Sequence, residues 1–434
     1  MRYLSTRGAE GSGLVDAVMR GLAADGGLYV PDELPRLDAS AVRGESLAEI
    51  AAQVLAPFFE GSGLEKELGT ICRDAFDFPL PLKELTANGE LSVLELFHGP
   101  TAAFKDVGAR FLAALMERAL RGSTDSRPLT ILVATSGDTG GAVAAAFHRR
   151  KGIRVGVLFP KGQVSPRQQH QLTCWGDNIR AFEVDGTFDA CQALVKGAFT
   201  DAGLQRRHRL TAANSINIGR LLPQLAYHAA ASLWHWRRHG TAAGSIVPSG
   251  NLGNGMACVW SRAIGMPVRE IVLAVNANRT IPDYLSTGQW QPRPSVATLA
   301  SAMDVGDPSN IERLRNLLPD FAELRANLES YPVDDAEIRT QIAKDYARYG
   351  EVWCPHTATG FWVYDHLPPA RKAGRPWIVS ATAHPAKFET IVEPVIRRPV
   401  AVPPALAELL DRPTASTPLA PRLEQFAAEI DAWI

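Results

Sequence analysis

Between about residue 90 and residue 265, short apolar runs alternate with alanine-rich amphipathic stretches, and three of those runs end in turns rich in glycine or proline. A run of five or six apolar residues, a turn and then a helical period make one β–α unit. Several units in succession can only close as a mostly parallel sheet with helices on its faces. The pattern predicts strands at Leu91–Phe97, Thr130–Thr135, Val155–Phe159, Ile179–Val184 and Ser245–Pro248, then Ile271–Val275 and Trp377–Ala381. Ligands of such sheets bind beyond the carboxyl ends of the strands, so chemistry is to be sought in the turns.

The first turn, His98-Gly99-Pro100, leads to Lys105, where Phe104 to Leu120 takes on helical periodicity. An amine beside apolar Phe104 and Val107 is partly desolvated, which lowers its pKa and frees the lone pair that Schiff-base chemistry needs. The plainer reading is a solvated lysine in a helix's first turn, although the helix dipole disfavours a cation there. The second turn, Ser136-Gly137-Asp138-Thr139-Gly140-Gly141, offers backbone amides at a helix start and two hydroxyls, a set suited to an anion. It has neither the Gly-Lys-Ser/Thr ending of a nucleotide P-loop nor G-x-G-x-x-G, which argues against ATP and NAD. The third, Ser249-Gly250-Asn251-Leu252-Gly253-Asn254-Gly255, leaves its amides uncovered in the same way. Each glycine turn alone could serve packing. One lysine with two such turns suggests a phosphorylated aldehyde cofactor and an anionic substrate.

Composition agrees. The 434 residues suffice for two or three domains, and 46% apolar with 21% charged residues is ordinary for a globular enzyme. A net charge of −1 gives no electrostatic basis for binding nucleic acid or an anionic membrane. With 9 lysines against 36 arginines, few amines compete for an aldehyde. The five cysteines are scattered without C-x-x-C spacing and read as thiols, implying neither disulfides nor zinc. No signal-peptide pattern and no bilayer-long apolar run is visible, so a cytoplasmic location is expected.

Seven segments, ELFHGPTAAFKD, ATSGDTGGAVAAAF, FDACQALVKGAF, NSINIGRLLPQ, VPSGNLGN, SAMDVGDPSN and TAHPAKF, together resemble threonine synthase. The likeness is to the longer subgroup with an extra N-terminal domain, and it runs in order to about residue 390. It implies an α/β fold of type II among pyridoxal phosphate (PLP) enzymes, tryptophan synthase β-like, with two doubly wound lobes and a small N-terminal domain. The divisions expected are 1–85 for the N-terminal domain and 86–400 for the catalytic domain, its smaller lobe at about 125–225. Residues 401–434 are expected as a tail with an amphipathic helix over 421–434, and 308–348 as an insertion of charged helices.

The resemblance also implies roles. Lys105 is the Schiff-base lysine, and the hydroxyl of Thr382 meets the pyridine nitrogen. The amides of Gly250, Asn251, Leu252, Gly253 and Asn254 hold the cofactor phosphate. Ser136, Gly137, Asp138 and Thr139 grip the substrate carboxylate, although a carboxylate at Asp138 would repel a phenolate; orienting its own loop is the alternative role. Lys161, Ser165, Asn214, Ser215, Asn217 and Arg220 are candidates for the substrate phosphate. Asp106 and His98 flank the lysine, and His384 and Lys387 flank Thr382. The implied reaction, a lyase step in the aspartate-family branch of amino-acid biosynthesis, makes L-threonine and phosphate from O-phospho-L-homoserine and water. A phospholyase giving 2-oxobutyrate, a serine or threonine dehydratase and a non-catalytic binding protein are the rivals. Either a monomer or a homodimer is expected.

Overall fold

The alternation folds into three sheets. The structure is a computed structural model that describes residues 1–433. In chain order its strands are β1 (Tyr3–Ser5), β2 (Tyr29–Pro31), β3 (Leu82–Glu84), β4 (Leu91–Glu95), β5 (Leu129–Ala134), β6 (Ile153–Pro160) and β7 (Ile179–Val184). There follow β8 (Arg209–Ala212), β9 (Ala243–Pro248), β10 (Val268–Val275), β11 (Glu329–Pro332), β12 (Trp377–Ala381) and β13 (Thr417–Leu419). β1 and β2 pair antiparallel. One sheet runs β13-β7-β6-β5-β8, all parallel, and the other runs β11-β10-β9-β12-β4-β3, parallel except for β3. Strands β4, β5, β9 and β12 are buried at every residue, so they read as near-continuous apolar runs, interrupted only by Ser92, Glu95, Thr130, Ser245 and Ser380, rather than alternating ones.

The chain crosses between the two large sheets three times. It lays down β4, passes along the helix Lys105–Arg121 into β5 to β8, returns along the helix Ile218–His239 to β9 to β12, and crosses again to add β13. Every predicted strand is present within a few residues. Strand β8 was not expected; it pairs with β5 on the side opposite β6, which makes the β5/β8 boundary the point where strand order reverses. The segment 308–348 is helical as expected, except that β11 extends the larger sheet beside β10. Residues 401–433 do more than trail: β13 pairs with β7, and Phe426 and Ile430 of the helix Leu423–Asp431 enter the core with Phe182 and Leu194. Ile434, the last position of the expected helix, lies outside the described residues.

The N-terminal segment packs on the long helices. Phe111 of the helix Lys105–Arg121 meets Phe59 and stacks on Phe76, with centroids 6.2 and 5.9 Å apart. Buried Arg313 donates to the carbonyls of Tyr29, Ser215 and Ile216, and Asn217 Nδ2 donates to the Val18 carbonyl at 2.8 Å. The N-terminal segment thus fixes the loop between β8 and the helix Ile218–His239.

Candidate active site

Lys105 and Thr382 are far apart in sequence and are joined by an extension of the β4–β12 pairing. Beyond the strand ends, Leu96 N–H donates to Ala381 O at 3.0 Å, Phe104 N–H to Thr382 O at 2.8 Å, and His384 N–H to Ala102 O at 2.9 Å. That ladder sets the start of the helix Lys105–Arg121 beside the end of β12. The turns after β5, β8 and β9 close round the same space, a cavity of about 260 Å³. Lys105, Ser136, Asp138, Thr139, Asn214, Ser215, Arg220, Gly250 to Asn254 and Thr382 all line it.

Burial is the main influence on the Lys105 amine. With the charges of Lys387 and Arg220, and against that of Asp138, it brings the pKa down to about 8. Phe104 stands 5.7 Å from the nitrogen, as ring centroid. Asp106 turns away: its carboxylate accepts from the Thr101 N–H and hydroxyl at 2.9 and 2.6 Å, closing the Gly99–Thr101 turn. His98 pairs with Glu95 at 2.7 Å, at the rim of a different cavity that Glu95 lines.

The Gly250–Asn254 turn leads into the helix Gly253–Ala263, whose first turn has no side-chain cap. Its leading amides are therefore free to meet an anion. Gly250 is required where it stands, since a Cβ there would come within 2.6 Å of the Met303 backbone. Leu252 adopts φ 61°, a conformation costly for a branched residue, and is held in it by complete burial. The side chains of this turn are occupied: Asn251 binds Ser215 Oγ and Ser309 N–H, while Asn254 Oδ1 accepts from Tyr227 and His228. Only the backbone of these two residues is available.

Asp138 is 4% exposed yet ionised. Burial pushes its pKa up, but the charges of Lys387 and Lys105 and the Lys387 hydrogen bond outweigh that and hold it well below the usual carboxylate range. Lys387, fully buried, lies 2.8 Å from Asp138 Oδ1 and donates to Thr101 O at 2.7 Å, and Gln168 Nε2 donates to the same carboxylate oxygen at 2.9 Å. The doubt raised by the sequence is thereby answered with side chains rather than loop amides: the carboxylate is neutralised by a lysine from the segment after β12.

Arg220 is 2% exposed and lies against Gly108, where a Cβ would meet its Nε at 2.8 Å. Nη1 donates to Ala213 O at 2.5 Å, Nε has no partner among the described residues, and burial lowers the pKa to about 10. Arg313, equally buried, has its donors taken by four protein oxygens. Arg220 is a buried cation with donor capacity unspent.

Four of the expected site residues are not brought to the cavity. Lys161 is exposed on the turn after β6. Ser165 caps the helix Pro166–Thr173, its hydroxyl accepting from Gln168 N–H and donating to Lys387 O. Asn217 caps the helix Ile218–His239 and spends its amide on Val18 and Ala212 carbonyls, so it does not share a binding face with Arg220. Gly137, at φ 138°, gives its N–H to Thr135 Oγ1 and supplies a turn rather than a contact. Conversely, Ser249, Gln224, His356 and Met303 to Gly306 line the cavity and were not singled out. Ser249 adjoins the glycine turn and the last four lie in SAMDVGDPSN, so both were within reach of the sequence; Gln224 and His356 were not.

Two buried hydroxyls test the fit to PLP. Thr382 Oγ1 and Ser249 Oγ, 4% and 2% exposed by residue, have no partner among the described residues. A partnerless hydroxyl beside a softened lysine, with an uncapped helix start across the cavity, matches a pyridine nitrogen, an aldehyde and a phosphate respectively.

Comparison with known proteins agrees. A family model described as pyridoxal-phosphate dependent enzyme matches residues 77–379. Models of the threonine synthase N terminus and C-terminal region match 2–76 and 357–430. Threonine synthase of Serratia marcescens is 38% identical over 405 residues, covering 92% of each chain. The crystal structure of threonine synthase from Escherichia coli superposes with a TM-score of 0.91 at 34% identity, covering 100% of each chain. The PLP-bound threonine synthase of Brucella melitensis gives 0.89 at 34% identity, covering 100% of this chain and 99% of its own. The fold is that of type II PLP enzymes, the cofactor is pyridoxal phosphate, and the chain belongs to the threonine synthase family.

Proposed function

We propose that the chain converts O-phospho-L-homoserine and water into L-threonine and phosphate, with Lys105 as the proton carrier and Arg220 as the anchor of the phosphate. The observation that carries this reading is the pairing of those two residues in one cavity: an amine softened to about 8, and a buried guanidinium whose Nε has no partner among the described residues. A dehydratase acting on an uncharged side chain has no use for the second cation.

When bound, PLP supplies an aldehyde that condenses with amines and a ring that takes up the electrons left on carbon after proton loss. Thr382 Oγ1 meets the pyridine nitrogen; a neutral hydroxyl there does not force that nitrogen to carry a proton. The amides at the start of the helix Gly253–Ala263 and the hydroxyl of Ser249 hold the cofactor phosphate. Ser136 and Thr139 hold the substrate carboxylate at the start of the helix Asp138–Phe147. Asn214 and Ser215 join Arg220 on the substrate phosphate. Lys105 Nζ takes the α-proton and passes it to an oxygen of the substrate phosphate, which restores the free amine; Nζ then takes a β-proton as the γ-carbon–oxygen bond breaks and hydrogen phosphate departs with the electron pair. A proton returns to the γ-carbon, and water then adds its hydroxyl to the β-carbon and its proton to the α-carbon. The departing phosphate, retained on Arg220, is placed to exchange protons in those last steps.

Incubating the PLP-loaded protein with O-phospho-L-homoserine, with phosphate release followed and the organic product identified, tests the proposal. Threonine is expected; 2-oxobutyrate in its place would make the chain a phospholyase. A Lys105→Ala variant that kept colour and turnover would end the assignment. Among the described residues no helix is long and apolar enough to cross a membrane. We place the chain in the cytoplasm as a monomer or homodimer, which fractionation and light scattering check.

A further inference from the structure

His356 belongs to none of the segments that marked the family and has no part in the steps above. It is the second residue of the helix Pro355–His366, 3% exposed, with its ring against Phe388 at 4.9 Å between centroids. Nε2 accepts the Ala302 N–H at 3.0 Å. Burial, more than the opposing charge of Asp138 and with those of Lys105 and Lys387, brings the imidazole down to about 4, so it is neutral. A neutral imidazole that accepts at Nε2 carries its proton on Nδ1. Nδ1 has no hydrogen-bond partner among the described residues.

A buried N–H without a partner is rare in native proteins and calls for a group that completes it. His356 lines the same cavity as Lys105, Asp138 and Thr382. The charged groups facing it are Asp138, Lys105 and Lys387. Asp138 is an acceptor paired with Lys387, and Lys105 is committed to the aldehyde. PLP carries a phenolic oxygen beside that aldehyde, and a carboxylate gives this oxygen no donor.

We propose that His356 is a cofactor-binding residue whose Nδ1–H donates to the phenolic oxygen of PLP and holds it as the anion, the task that ionised Asp138 cannot perform. The proposal rests on the assignment of Lys105 as the cofactor lysine. In this arrangement Ala302 fixes the tautomer, Phe388 fixes the ring plane, and the Asp138–Lys387 pair keeps the surroundings nearly neutral.

Two substitutions separate the nitrogens. Asparagine puts an amide N–H near the place of Nδ1, whereas glutamine reaches the place of Nε2 and leaves no donor at Nδ1. His356→Asn and His356→Gln are loaded with PLP, reduced with borohydride and peptide-mapped, and their visible absorption is titrated with pH beside the wild type. The expected result is that Asn keeps the wild-type midpoint, while in Gln the midpoint moves up by about one pH unit. The phenolate that loses a charge-assisted donor holds the neighbouring proton more tightly. A Gln variant that titrates with the wild type, or an Asn variant that moves as far as Gln, overturns the proposal. Should either variant fail to fold, as read from its cofactor-free unfolding curve, His356→Ala with added imidazole replaces it. Recovery of the wild-type midpoint then supports the N–H donor, and no recovery overturns it. A wild-type label on a residue other than Lys105 would overturn the cofactor assignment itself, a result readable before any variant is made.

Discussion

Replacing Lys387 by methionine removes the charge 2.8 Å from Asp138 Oδ1 and leaves a similar volume of side chain in a fully buried position. Asp138 then keeps Gln168 as its direct side-chain partner, with burial still raising its pKa. In the wild type the depressed carboxyl contributes stability at all pH above its unfolded value of about 4, a contribution lost only in strong acid. In the variant the carboxyl is raised instead, so the folded state holds a proton that the unfolded chain has released. The penalty therefore starts near pH 4 and grows by about 1.4 kcal/mol per pH unit until the new folded pKa is reached. The deficit at pH 7 is expected to be of the order of the roughly 3–5 kcal/mol seen when one half of a buried ion pair is removed. Lys105, the next cation in importance at Asp138, limits the effect until PLP consumes its amine. Adding Asp138→Asn should restore all but about 1 kcal/mol, because no unpaired charge is left. Denaturant unfolding of the single and double variants across pH 4 to pH 8 measures the deficit and its slope. A loss under about 1 kcal/mol that is flat with pH, or a double variant no better than the single, would refute the claim that Lys387 holds Asp138 ionised.

Three further outcomes are expected. Condensation of cofactor-free protein with PLP should quicken about tenfold per pH unit up to about 8 and level off above it, as Lys105 loses its proton; a stopped-flow rate flat from pH 6 to pH 8 would contradict a softened amine. Thr382→Val should weaken PLP binding by about 1–3 kcal/mol, read as a shift in Kd of roughly 5- to 150-fold, since a buried ring nitrogen loses its partner. Arg220→Ala should cut kcat/KM for the phosphorylated substrate by roughly 100-fold or more while Lys161→Ala stays within about twofold, and steady-state kinetics that reversed this order would exchange the two assignments.

The sheet strands were legible because burial on both faces writes them as apolar runs bounded by turns, and the lysine and glycine turns because strand ends in such sheets bind ligands. What escaped depended on partners remote in the chain. Strand β8 is four residues long, one of them an arginine, and exists because β5 has a free side. Ser165 and Asn217 carry the right atoms for a phosphate, but helix starts claimed them, and a cap and a ligand site look alike in sequence. Lys387 reaches Asp138 from the segment after β12, which belongs to the other large sheet, so neither residue announces the pair. His356 sits in a stretch with no glycine turn, and only the Ala302 amide across the cavity fixes which nitrogen is left.

Strand β13 is synthesised long after β7, its neighbour in the sheet. Until it emerges from the ribosome, β7 presents an open row of backbone groups, and Phe182 lacks the cover of Phe426, 5.6 Å away between ring centroids. A nascent chain of this protein therefore carries a sticky edge for most of its translation. Chains cut short before residue 417 are expected to clump rather than to persist as a smaller working enzyme.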